Sequence, residues 1–521
     1  LCGCITDWLH RSSGFASFVL HRSHQLQQHH NFCAALPLTK CYYSSKTEQD
    51  IQPTSITFLT DVEGDGAYFD RFVSHSSLLK FRPVPPSFGR YAHRQKYDDG
   101  ESAGSSEMKW NLGEWEEDYF PYDKEVVFRD DGDEMHRNSM LVYGGDAWDK
   151  GGSDLYVLRQ LLSLHRRYPN RVHFLMGNRD INKMRIVDEL GIVNDTDEQR
   201  LPCHGGVYWL RGASGKPENI VPNDNAAARL KWMLKSTMGS VDAFELRRDE
   251  LERERVAILG ATHANYDPGD IAVTDDEVAQ SYIRSCNPVN GIMSQYLTRA
   301  KLVTRFGSVL FLHGALPIVP STTNDADAFP LPWISSDAGC NSLTNWIDTL
   351  NNFASNQVKG WKEFHEYCRR ASRESSDGVW ATKGGYLSNT QGKMFGALLQ
   401  FGMNTLPDRS STQSCVYNSW MYNGLPRDDW FGSDDSIREI SGLLQREGLQ
   451  IIISGHQPVG DAPWPIQISQ NGDDKRRWII PCDTSFSGDT RFTTLEGFSC
   501  KKSKSIGRGK ATSGRGEVAY R

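Results

Sequence analysis

Nowhere in the 521-residue chain does an apolar run approach the roughly 18 residues that span a bilayer, so no membrane-spanning helix is expected. Paired CxxC elements are missing as well. Of the 11 cysteines only Cys2 and Cys4 lie close together, which excludes a zinc ribbon or finger. The thiols read instead as small buried groups, kept reduced in an intracellular protein, and none stands out as a nucleophile. Positive charge is not in excess: the net charge is -7 and the pI about 6.1, so nucleic acid and anionic membranes are not expected partners. There is no internal repeat.

What is present is globular in character, with 38% hydrophobic residues, 24% charged residues and 14 Trp. The two ends differ from the rest. Residues 1–50 carry Arg11, Arg22, Lys40 and Lys46 among Ser, Gln and His, with Asp7 the only acid before Glu48. That composition fits a transit segment or a disordered leader, and the two stay open; the compartment expected is the cytoplasm, with a mitochondrion or other organelle as the alternative. Residues 496–521 form a basic, Gly- and Ser-rich tail. Between them, 51–495 reads as one domain, interrupted by polar insertions near 75–138, 190–300 and 320–445. Within the second insertion, the mixed-charge run Arg247 to Arg255 reads as a solvent-exposed helix.

Short β-rich apolar runs lead repeatedly into polar turns: Ile56 to Leu59, Leu141 to Tyr143, Val172 to Met176, Val309 to Leu312 and Ile451 to Ile453. Leucines at 155, 158, 161 and 162 follow the second run at helical spacing, which gives the strand–helix–strand unit of an α/β fold. The polar residues of interest fall just past these strands, where open α/β sheets place their ligands. They are Asp61 and Glu63, Gly145-Asp146-Ala147-Trp148-Asp149-Lys150-Gly151, Gly177-Asn178-Arg179-Asp180, His313-Gly314-Ala315 and Gly455-His456-Gln457. Carboxylates, an amide and imidazoles are the donors that a pair of divalent cations needs, with one carboxylate bridging.

In their order and strand-end placement these motifs resemble the calcineurin-like metallophosphoesterases, most closely the phosphoprotein serine/threonine phosphatase branch, with its GDxHG, GDxVDRG, GNHE, HGG and late His-Gln. The resemblance covers residues 56 to about 490 in outline and is tight only at the motifs. It implies a four-layer αββα sandwich with large insertions and a site of two divalent metal ions, with Mn expected and Mg, Fe or Zn as alternatives. It further implies that Asp61 and Glu63 serve the first metal, that Asp146 bridges, and that Asn178, His313 and His456 serve the second. The string Cys203-His204-Gly205-Gly206 rivals His313-Gly314-Ala315, but His313 follows a buried-strand run and His204 does not. Cys482 to Gly488 loosely matches the family's C-terminal loop at the site mouth.

Three departures bear on chemistry. Glu63 stands where the family has His, which adds an oxygen donor and favours harder ions. Lys150 stands at the position of a phosphate-holding Arg. Arg179 replaces the His expected to protonate the leaving group, held in the family by the residue at Asp149; a guanidinium stays charged and is a poor general acid. Arg179 can instead pair with Asp149 or offer a fork to the phosphate. Nearby Asn182, Lys183 and Arg185 read as a solvated helix face, with a substrate role as the alternative. The activity implied is phosphoester hydrolysis by a metal-activated water on a phosphoprotein or small phosphoester. The alternatives are a phosphoanhydride or nucleotide hydrolase, and a catalytically weak metal- and phosphate-binding pseudophosphatase.

Overall fold

The computed structural model describes residues 18–21, 53–88, 119–130, 136, 138–190, 225–262, 271–317, 329–330, 332, 339–340, 342–374, 396–403, 414–422, 424–460, 462–468 and 476–484. His204, the basic tail and residues 485–488 lie outside them.

The apolar runs form strands in two sheets. One has the order β1-β2-β3-β4-β5: Phe18–His21, Ser55–Leu59, Ser139–Tyr143, Val172–Leu175 and Ala300–Lys301. The other holds β6 (Val303–Phe306), β7 (Val309–Leu312), β8 (Ile451–Ser454), β9 (Ile466–Gln467) and β10 (Trp478–Pro481), in the order β6-β7-β8-β10-β9. From β2 to β5 the first sheet is parallel, as are β7, β8 and β10 in the second. Strands β2, β3, β7, β8 and β10 are buried along their whole length, which is why they read as unbroken apolar runs rather than alternating ones. Phe18–His21, inside the segment expected to be a leader, pairs antiparallel with β2 at the sheet edge.

The sheets pack face to face. The rings of Phe58 and Phe311 lie 5.7 Å apart, and His173 meets Phe306 at 4.9 Å. Helices cover the outsides. Helix α1 is Gly66–His75; α2, Asp154–Arg167, packs on the first sheet. Helix α3 is Asn178–Asn182, followed by a 3-10 turn at Lys183–Arg185. Between β4 and β5 come α4 (Ala226–Ser236), α5 (Ala243–Thr262), α6 (Asp275–Ser285) and α7 (Ile292–Arg299). On the second sheet, α8 (Leu343–Glu374) packs against β6, and its Asn351 side chain bonds the backbone of Leu302 and Val303. The class is therefore the expected α/β sandwich, helix layers outside two sheets. Among the described residues no helix is long and apolar enough to cross a membrane.

The charged run in α5 is solvated on one face only, at Asp249 and Arg253, contrary to expectation. Arg247, Glu250, Glu254 and Arg255 are all buried. Arg247 pairs with Asp154 and Glu250, and Glu254 with Arg159 of α2. Glu250 Oε1 also accepts from the N–H groups of Leu155 and Tyr156, so one helix supplies the acid that caps the start of the other. Burying a charge is tolerable when it is paired and hydrogen-bonded, and these are.

Candidate active site

Each strand that carried a motif delivers it at its carboxyl end. Thr60 and Asp61 follow β2, Gly145 and Asp146 follow β3, and Gly177 and Asn178 follow β4; His313 follows β7, His456 follows β8 and Asp483 follows β10. Backbone bonds extend the ladders beyond the strands and hold the loops together. Asp61 N donates to Gly145 O at 3.0 Å, Glu63 N to Asp146 O at 2.9 Å, and Gly455 N to His313 O at 2.8 Å.

Among the described residues, the non-glycine positions with left-handed backbone are Asp61 (φ 54°), Glu63 (49°), Asp146 (53°) and His456 (73°). L-residues avoid this region, and non-glycine residues held there concentrate at functional sites. All four are sequence-predicted ligands. Close approach also constrains the glycines: a Cβ on Gly177 would lie 2.0 Å from Asp146 Oδ1, and one on Gly455 2.1 Å from Asp61 Oδ2.

The loops bring Asp61, Asp146 and His313 together, with one donor atom of each within 4.8 Å of the others, all three buried. His313 Nδ1 lies 2.8 Å from Gly144 O, to which it donates, and its Nε2 faces Asn178 Oδ1 at 3.1 Å and Asp146 Oδ2 at 3.5 Å. His456 Nδ1 meets the same Asn178 Oδ1 at 2.9 Å, and its backbone N–H donates to Asp61 Oδ2 at 3.0 Å. Burial pushes the Asp61 carboxyl up to about 7, opposed by His313. Burial also disfavours charge on His313, yet Asp146 and Asp61 push that imidazole up to about 10. Burial alone would raise Asp146, but His313, Arg179 and His456 hold it below the ordinary range. The two carboxylates draw a proton onto the imidazole, and the cluster's oxygen and imidazole donors fit a divalent cation.

The local likeness is to a phosphatase. Over 110 residues the chain is 32% identical to the serine/threonine-protein phosphatase 6 catalytic subunit of Drosophila melanogaster, a stretch taking in 16% of this chain and 36% of that protein. The chain thus spans little more than a third of the relative's length. No family model matches. Crystal structures of a cold-active protein tyrosine phosphatase pair with the chain loosely. One does so at 13% identity and a TM-score of 0.27, over 83% of this chain and 70% of that one. That of a psychrophilic Shewanella does so at 12% and 0.25, over 67% and 61%. At such scores a superposition says nothing about a shared fold.

Glu63 stands slightly apart from the cluster. Its carboxylate is taken by Lys150, Oε2 to Nζ 2.7 Å, with Arg179 Nε at 3.9 Å from Oε1. Burial raises its carboxyl and these two cations oppose the rise. Arg179 pairs with Asp149, Nη1 to Oδ2 3.3 Å, as one of the two expected arrangements. Asp149 also accepts from Lys183 Nζ and, at 2.6 Å, from Ser240 Oγ. Burial works against its ionisation, but Lys183, Arg179 and Lys150 hold its carboxyl far below the ordinary range.

Lys183 was expected on a solvated face; it is buried, as are Asn182 and Arg185, because Asp149 and Glu189 lie inside to receive the charges. Sequence reasoning missed three site residues. Asp180 accepts the N–H groups of Asp146, Ala147 and Gly177, each at 2.9 Å, and so clamps two site loops. Its place inside the Gly-Asn-Arg-Asp motif was the available signal. Lys183 carried one only in lying four residues after Arg179. Ser240, from the second insertion, carried none.

Proposed function

We propose that the chain is a metal-dependent phosphoester hydrolase, with Asp61, Asp146, Asn178, His313 and His456 holding two divalent cations and Glu63 at their margin. The convergence of Asp61, Asp146 and His313 donor atoms within 4.8 Å, at the carboxyl ends of three strands, carries this reading. The phosphatase likeness adds to it. Two such cations supply Lewis acidity toward a phosphoryl oxygen and a water of lowered pKa. Oxygen donors at Asp61 and Asp146 favour a hard ion, Mn²⁺ before Zn²⁺.

The chain's own residues do the rest. Arg179 and Lys150, both partly exposed, bind the phosphate through charge-assisted hydrogen bonds. Neither gives up a proton readily: Asp149 and Glu63 hold the guanidinium charged, and Glu63 raises the Lys150 ammonium against the effect of burial. Asp149 is ionised and offers no proton either. The leaving group departs without help from these three, so esters of acidic alcohols and phosphoanhydrides are favoured over simple alkyl esters; a missing general acid costs typically about 10² to 10⁴ in rate.

Elemental analysis of the purified protein, followed by phosphate release from an aryl phosphate with and without Mn²⁺, tests the reading. Bound metal and Mn²⁺-stimulated cleavage, both lost in Asp146→Asn, are expected. Metal-free protein, or cleavage that survives in Asp146→Asn, overturns it. The absent proton donor favours a second reading, a metal- and phosphate-binding protein with little turnover. Stoichiometric metal without turnover on esters and anhydrides would select it.

A further inference from the structure

The segment between β4 and β5 sends one turn into the site. Helix α4 ends at Ser236, and Gly239 adopts a left-handed conformation (φ 71°) that reverses the chain. The reversal is closed by Met238 N to Met233 O at 3.1 Å and Ser240 N to Leu234 O at 2.8 Å. Its base is fastened to the 3-10 turn after α3, where Arg185 Nη2 donates to Thr237 Oγ1 at 3.0 Å.

Two groups of this turn meet the Asp149–Arg179 pair. The Met238 carbonyl accepts from Arg179 Nη1 at 2.5 Å, and Ser240 Oγ donates to Asp149 Oδ1 at 2.6 Å. The apex lies against the guanidinium: a Cβ on Gly239 would find Arg179 Nη1 at 3.5 Å. Met238, Ser240, Asp149 and Lys183 are buried, whereas the Arg179 side chain is 27% exposed. The guanidinium therefore has a fixed inner edge and an open outer one. Among the described residues, Nη1 is engaged and Nη2 has no hydrogen-bond partner.

We propose that the Met238–Ser240 turn is a positioning device for Arg179, holding its Nη1 edge so that the Nη2 edge binds a non-bridging oxygen of a phosphate group. The assignment rests on the site being one that takes phosphate. It makes the second insertion part of the anion site, because Ser240 and Lys183 hold Asp149, Asp149 and the Met238 carbonyl hold Arg179, and Arg179 meets the ligand. A preorganised guanidinium loses less freedom for each bond it forms than one that must be ordered on binding.

The test uses the metal-loaded 521-residue chain and the variants Ser240→Ala, Ser240→Thr, Arg179→Ala and Ser240→Ala/Arg179→Ala. Orthovanadate and inorganic phosphate are titrated calorimetrically, and mass spectrometry follows phenylglyoxal modification of Arg179. Ser240→Ala is expected to weaken both anions about tenfold at unchanged metal content, and to speed Arg179 modification. Ser240→Thr, which keeps the hydroxyl, restores both. In the Arg179→Ala background the Ser240 change has no further effect, as expected when one residue acts through the other. Unchanged Arg179 reactivity in Ser240→Ala, or an equal loss of anion affinity with and without Arg179, overturns the positioning role. Wild-type protein that binds neither anion overturns the phosphate reading itself, and does so whatever the modification rates show.

Discussion

Replacing Arg247 by Met removes the cation paired with two buried acids, Asp154 and Glu250. The side chain is wholly buried, with Nη2 3.1 Å from Asp154 Oδ2 and Nε 3.3 Å from Glu250 Oε2. Nη1 donates to Ser281 and Ser285, and the guanidinium carbon sits 4.5 Å from the Tyr282 ring and 5.2 Å from that of Trp148. Met fills much of the same space, so the dominant loss is electrostatic: two carboxylates remain together without the guanidinium that bridges them. Breaking a buried pair in this way costs about 3–5 kcal/mol, or two to four orders of magnitude in the ratio of folded to unfolded chains. Asp154 also accepts from Asp149 N at 3.2 Å and lies against Gly64, so the loss reaches the loops that carry Asp149 and Glu63. Equilibrium urea unfolding of wild type and Arg247→Met at pH 8, where the acids are most ionised, is the measurement. A change within about 0.5 kcal/mol, the usual range for surface substitutions, would refute the buried cage and restore the solvated-helix reading of this run.

Glu250 gives a pH signature of the same cage. Burial pushes its carboxyl up to about 7 from an ordinary 4.5, so the folded protein keeps a proton that the unfolded chain has released. Its contribution is fully present below pH 4.5 and is lost as pH rises through 7; Glu250→Gln should flatten this part of the curve of melting temperature against pH. In Gly177→Ala the new Cβ would fall 2.0 Å from Asp146 Oδ1, and metal content measured by elemental analysis should drop sharply while the far-UV spectrum stays native. On the proposed reading Lys150 competes with a metal for Glu63, so Lys150→Met should tighten Mn²⁺ binding about tenfold in calorimetry, the equivalent of one charged hydrogen bond, while weakening phosphate. Unchanged Mn²⁺ affinity would mean that Glu63 takes no part in holding metal.

Much of this arrangement is legible in the sequence alone, and the reason is local. Runs such as Val309–Leu312 are buried on both faces and therefore apolar throughout, and the residues that follow them lie at strand ends by necessity of chain order. What could not be read depended on partners distant in sequence. Arg247, Glu250, Leu251, Glu254 and Ile258 recur at helical spacing, and all five are buried. A face of mixed acids and bases looks solvated until Asp154 and Arg159 are known to face it. Lys183 misled for the same reason, since Asp149 is its destination. The resemblance implies that Glu63 joins Asp61 at the first metal, but Lys150 takes its carboxylate.

The left-handed backbone at Asp61, Glu63, Asp146 and His456 sets folding against function. Each such residue carries a conformational cost of about 1–2 kcal/mol that glycine would not. A laboratory selection for heat resistance alone would favour glycine at these positions, Glu63 among the first, since longer side chains suit this conformation less well than Asp, Asn or His. On the proposed reading, the variants it enriched would be tougher and inert. At Asp61 and Asp146 the gain would be smaller, because their carboxylates accept from His456 N at 3.0 Å and from Arg179 N at 2.8 Å and so tie the loops together.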